Sequence, residues 1–85
     1  MNKQILKVHP QDNVIVALAD LPQGTVINHD DKTYILTNNV QAKHKFAAQD
    51  FQPNDNITMY GVLVGKAQSF IPAGGVLTTK NIHHA

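Results

Sequence analysis

One pattern recurs three times along this chain and restricts what it can fold into. Residues 17–27 (ALADLPQGTVI), 47–57 (AAQDFQPNDNI) and 67–77 (AQSFIPAGGVL) follow one grammar. Each begins with a small residue, places an apolar anchor at Leu21, Phe51 or Ile71, and reaches Gly24, Asn54 or Gly74 three residues later. An apolar stretch then begins around Ile27, Ile57 or Leu77. Gly and Asn adopt positive φ at little cost, so the position they share reads as a tight turn. The unit is too short for a solenoid, in which every repeat is a full supersecondary element. The pattern predicts corners of one sheet, each made of a short helical turn, a tight turn and a strand.

Between the corners, apolar residues alternate or come in short runs, as at Ile5, Leu6 and Val8 and again from Val14 to Leu18. Val26 to Ile27 and Tyr34 to Thr37 flank the polar residues 28–32, whose Asn and Asp suit turn positions, which predicts a hairpin. Further strands are predicted at Ile57 to Tyr60, Leu63 to Val64 and Val76 to Thr79, punctuated by glycines. The fold class that follows is all-β with short helical turns, many short strands closing a barrel-like or clip-like sheet. At 85 residues and 42% hydrophobic content the chain is one domain, 1–85, with room for one core. Domains of this size bury only roughly two-thirds of their unfolded surface, so a partner is expected, either a larger protein or further copies in a homo-oligomer.

Charge removes other classes. All seven basic residues are lysine and all six acidic residues are aspartate, for a net charge of +1. The lysines are scattered apart from Lys43 and Lys45, and arginine, the usual bidentate reader of guanine and phosphate, is missing, so nucleic acid is not expected as a partner. The absence of cysteine excludes disulfides, zinc thiolates and a thiol nucleophile. Lys3, Gln4, Lys7 and His9 interrupt the first ten residues, which leaves no signal-peptide hydrophobic region, and no apolar run reaches membrane-spanning length. The cytoplasm is the expected compartment.

Few residues carry chemistry. Neighbours in a strand point to opposite faces, so one of His44 and Lys45 can face a cleft while the other faces solvent; the plainer reading is a turn-capping histidine and a solvated lysine. His9 stands three residues before Asp12, a spacing at which a carboxylate can orient the imidazole, although Asp12 and Asn13 are also good turn formers and a structural Asx turn is the favoured reading of Asp12. His29, Asp30 and Asp31 read as a polar hairpin loop rather than a metal site. Tyr60-Gly61 reads as a core aromatic against a close backbone approach. Ser69 has no triad context, and Gly74-Gly75 precedes no helix that would make it a phosphate loop.

In order along the chain, His9 with Asp12-Asn13-Val14, Ala17 to Asp20, His44 to Ala47, Tyr60-Gly61 with Gly65 and Ala67, and Ile71 with Gly74 and Asn81 resemble the SAF domain of altronate and galactarate dehydratases. The resemblance extends to the small subunit of sulfolactate sulfo-lyase. The resemblance covers nearly the whole chain and implies a β-clip fold. It implies an enzyme that removes water from a sugar acid, altronate, to give 2-keto-3-deoxygluconate with a divalent metal, iron or manganese. It also implies a larger catalytic domain or subunit beside this one, with the isolated chain inactive and holding no metal itself. Such a dehydration needs a base, positive charge and an acid. Taken with the residue patterns above, the candidate catalytic residues are His44 and His9, and the candidate substrate-binding residues are Lys45, Asn81 and Asn13. Members with a His-x-His-x-His-Asn strand have histidines where this chain has Val76, Thr78 and Lys80, and of that pattern only Asn81 remains. The alternatives are a non-catalytic docking, assembly or carbohydrate-binding module, or the equivalent domain of a galactarate dehydratase or sulfolactate sulfo-lyase.

Overall fold

The computed structural model describes residues 4–84, so Lys3 of the polar amino-terminal stretch and Ala85 lie outside it. Its strands form three small antiparallel sheets. The first joins β1 (Ile5–Leu6), β2 (Val14–Ala17) and β5 (Lys45–Ala47) in the order β1-β2-β5. The second is the hairpin of β3 (Val26–His29) and β4 (Lys32–Ile35). The third joins β6 (Asn56–Met59), β7 (Val62–Ala67) and β8 (Ile82–His84) in the order β6-β7-β8.

The β2–β5 pair is apolar on both faces and divides the interior. Ile15 lies opposite Phe46 in the register, and Val14 opposite Ala47. Because side chains alternate along a strand, Ile15, Ala17 and Phe46 enter one core with Leu21, Ile27, Tyr34 and Val40. Val14 and Ala47 enter a second core with Phe51, Ile57, Met59, Ile71 and Leu77. Phe46 is fully buried and meets the Tyr34 ring edge to face at 6.1 Å. The single core anticipated from length is therefore two, one on each face of the same strand pair.

The corners number four among the described residues, not three. The fourth is built on Val40, with Lys43 at the turn position and Phe46 as the following buried residue. Gly24, Lys43, Asn54 and Gly74 all have positive φ, at 89°, 72°, 74° and 87°. In each corner the N–H one residue later bonds the carbonyl three residues back: Thr25 to Pro22, His44 to Gln41, Asp55 to Gln52 and Gly75 to Pro72. A turn with positive φ at its third residue is the type II geometry, and Pro53 occupies the second position where proline is favoured.

Corners associate in pairs. Leu21 and Val40 exchange two backbone hydrogen bonds of 2.8 Å, and Phe51 and Ile71 exchange bonds of 2.7 and 2.9 Å. Carboxylates before the anchors close each pair: Asp20 accepts the Ala42 N–H at 2.8 Å and Asp50 accepts the Ala73 N–H at 2.8 Å. The reciprocal bond exists in the first pair, where Asn39 accepts the Gln23 N–H at 2.7 Å. In the second pair Pro53 has no N–H to give, and the residue matching Asn39 is Phe70.

Three expectations change. The corners contain no helical turn among the described residues, because the anchor backbone is extended and committed to its partner corner. Beyond Val76, which bridges Phe46, the segment 76–79 bends away instead of continuing as a strand. The polar segment 28–32 is mostly strand, and its turn is the pair Asp30-Asp31, both at positive φ as a type I′ turn requires. The β6–β7 connection uses the same turn, with Tyr60 at 57° and Gly61 at 75°.

Candidate functional site

A groove of about 380 Å³ opens where β5 begins. It is lined by the run Lys43, His44 and Lys45 and by Leu77, Thr78 and Thr79, and Ile82 completes it. The type II turn at 41–44 places this run. Backbone pairing holds the two sides together: the Leu77 N–H bonds the Lys45 carbonyl at 2.9 Å, and the Ala47 N–H bonds the Gly75 carbonyl at 2.9 Å. Asn81 fixes the bend beyond Leu77. Its Oδ1 accepts the Thr78 N–H at 2.8 Å and its Nδ2 donates to the Val76 carbonyl at 3.0 Å. The Thr78 hydroxyl oxygen accepts the Lys80 N–H at 3.1 Å, which leaves its own hydrogen for a ligand.

The lining carries two lysines, one histidine and two hydroxyls, and no carboxylate. That set suits an anion with hydroxyl groups. It does not suit a divalent metal, since ammonium groups flank His44 and no acidic oxygen joins it.

Lys45, Leu77 and Ile82 also line a second, more apolar hollow of about 270 Å³, completed by Val14, Ile57, Met59, Tyr60 and Val64. Tyr60 is 61% exposed, so it is not the core aromatic its sequence context predicts. Its positive φ turns the ring outward from the hairpin tip.

Asp12, a residue only 4% exposed, holds that tip through its carboxylate. Oδ1 accepts the Gly61 N–H at 2.9 Å, and Oδ2 accepts the N–H groups of Tyr60 and His9 at 3.1 Å each. Of the two readings weighed for Asp12, the imidazole is not its partner; it grips backbone 48 and 49 residues away. The His9 ring lies on Gly61, where an added Cβ would meet Nε2 at 3.0 Å, and Nδ1 accepts the Gln11 N–H at 3.1 Å.

Of the residues singled out in the sequence, His44 and Lys45 come together in the groove and Asn81 braces its rim. His9 lines neither hollow. Asn13 spends its amide on β6, donating to the Asn56 carbonyl at 3.0 Å and accepting the Thr58 N–H at 2.8 Å. Lys43 was visible only as a neighbour of Lys45. The signal that places it is its spacing of three from Val40, the same as Gly24 from Leu21.

Paired corners around a two-faced strand pair define a small all-β module of the clip type. Residues 3–85 match the family model described as altronate/galactarate dehydratase SAF domain, and the chain belongs to that family. It is 44% identical over 71 residues to an altronate dehydratase of Escherichia coli (strain K12), a match covering 84% of this chain and 14% of that protein. It is 33% identical over 72 residues to an altronate dehydratase of Bacillus subtilis (strain 168), covering 85% of this chain and 14% of that protein. The chain thus spans about one seventh of the length of these curated relatives. No helix of the described residues is long and apolar enough to cross a membrane.

Proposed function

We propose that this domain forms one wall of the substrate site of a cytoplasmic sugar-acid dehydratase acting on altronate, with a larger catalytic domain or subunit forming the rest. The observation that carries this reading is the groove, cationic and hydroxyl-lined with no acidic residue, in a chain of this family. Dehydration removes the proton beside the carboxylate and the hydroxyl on the next carbon, which leave as water, and the resulting enol becomes the keto acid. Lys43 and Lys45 hold the carboxylate and oppose the negative charge that builds on it as the proton leaves. His44 takes or gives a proton at the rim, and Thr78 and Thr79 bond substrate hydroxyls. The iron or manganese implied by the resemblance belongs to the larger part, since the groove offers no donor set for it.

An amide chemical-shift titration of the 85-residue chain with altronate and with galactarate tests this. Saturable shifts at His44, Lys45, Thr78 and Thr79 are expected, and their size ranks the two acids. Shifts absent from these four residues with both acids would move the domain to the second reading, a docking module. One observation favours that reading: Val26 and Ile35 face each other across β3–β4 and are both more than half exposed, an apolar pair suited to cover by a partner.

A further inference from the structure

Tyr60 occupies a position that suits a small or polar residue. The equivalent turn between β3 and β4 uses Asp30-Asp31, and aspartate adopts left-handed backbone more readily than tyrosine. The chain nevertheless places an aromatic ring there, with φ at 57°, and leaves 61% of the residue exposed. The buried Asp12 holds the N–H groups of both turn residues, so the conformation that turns the ring outward is fixed from beneath. The ring lines the apolar hollow, which meets the cationic groove at Lys45, Leu77 and Ile82. The two are neighbours that share these three residues: Lys43 and His44 line only the groove, Tyr60 lines only the apolar hollow, and no acidic residue lines either.

We infer that Tyr60 is a specificity-determining residue, the platform for the carbon chain of an extended polyhydroxy acid whose carboxylate sits at Lys43 and Lys45. The inference rests on the reading of the groove given above and adds the part of the site that measures ligand length. An aromatic face carries negative charge density, and the C–H groups of a polyol carry partial positive charge, so one face of the carbon chain packs on the ring. The hydroxyls on its other face stay towards the open side of the hollow. An acid too short to reach from the Lys43 end of the groove to Tyr60 gains nothing from the ring.

The test compares a six-carbon acid, altronate, with a three-carbon acid, glycerate, for binding to the 85-residue chain by amide chemical shift. The unsubstituted chain is expected to bind altronate about five- to tenfold more tightly than glycerate. Tyr60→Asn keeps a residue that accepts positive φ but removes the ring. It should bring altronate down to the glycerate value and leave glycerate unchanged, whereas Tyr60→Phe should retain the preference. Equal binding of the two acids by the unsubstituted chain, or a preference that survives Tyr60→Asn, overturns the inference while leaving the anion site intact. Failure of both acids to shift His44 and Lys45 overturns the groove reading itself, and this inference with it.

Discussion

Asp12→Ala removes the one buried charged side chain among the described residues, and its cost follows from what the carboxylate holds. Three N–H groups point at it, at 2.9, 3.1 and 3.1 Å. A hydrogen bond to a charged group contributes about 1.5–3 kcal/mol net. The sum overstates the loss, because Tyr60 is exposed and Gly61 half-buried, so water replaces the carboxylate at two of the three donors. Ionised Asp12 also costs desolvation that alanine does not. A loss of about 3 kcal/mol results, which for a domain of this size lowers the melting temperature by roughly 10–25 °C. Thermal and urea unfolding followed by circular dichroism measure it. Amide exchange at Tyr60 and Gly61 gives an independent readout, since their protection should fall even where the rest of the domain stays folded. Asp12→Asn keeps one acceptor and should fall between the two. A loss below about 1 kcal/mol with unchanged exchange at Tyr60 and Gly61 would refute the claim that this carboxylate fixes the hairpin tip.

Two further outcomes follow from the backbone and the core. Lys43 holds φ at 72°, where a non-glycine residue costs about 1–2 kcal/mol and glycine loses only part of that to chain entropy, so Lys43→Gly should stabilise the domain by about 0.5–1 kcal/mol in urea unfolding while weakening acid binding in the groove. Burial pushes the Tyr34 phenol above its ordinary value, with the Asp30 charge adding to the effect. The unfolded chain therefore ionises first: stability is full below about pH 10 and falls as pH rises above it, and Tyr34→Phe should flatten that alkaline loss in a pH series of urea midpoints.

The corners were legible because their key residues are chemically distinctive. Gly24, Asn54 and Gly74 announce positive φ, and Leu21, Phe51 and Ile71 announce burial. The fourth corner escaped because Lys43 occupies the same backbone conformation without the composition that advertises it; its conformation is imposed by the Lys43 N–H bonding the Ala17 carbonyl at 2.7 Å. The expected helical turns failed for a non-local reason. A run such as ALAD favours helix locally, yet the Leu21 backbone is taken by Val40 and the Asp20 side chain by Ala42. Of the site, the adjacent His44 and Lys45 could be read directly, whereas the facing Thr78 and Thr79 are brought there by the pairing of Lys45 with Leu77, a contact between distant parts of the chain. Tyr60 misled because an apolar run, MYGVL, hides a turn residue whose φ reverses the direction of its side chain.

In the proposed function, the groove at Lys43–Lys45 grips the substrate carboxylate of a sugar-acid dehydratase. Turnover of altronate by the complete enzyme, with Lys45 replaced by methionine, tests it most directly, because Lys45→Met keeps the apolar stem and removes only the charge. A fall in kcat/KM of about 10- to 100-fold is expected, from the loss of one charge-assisted contact, with assembly and melting temperature unchanged. An enzyme that assembles normally and retains kcat/KM within about twofold would contradict it and leave the domain a docking module.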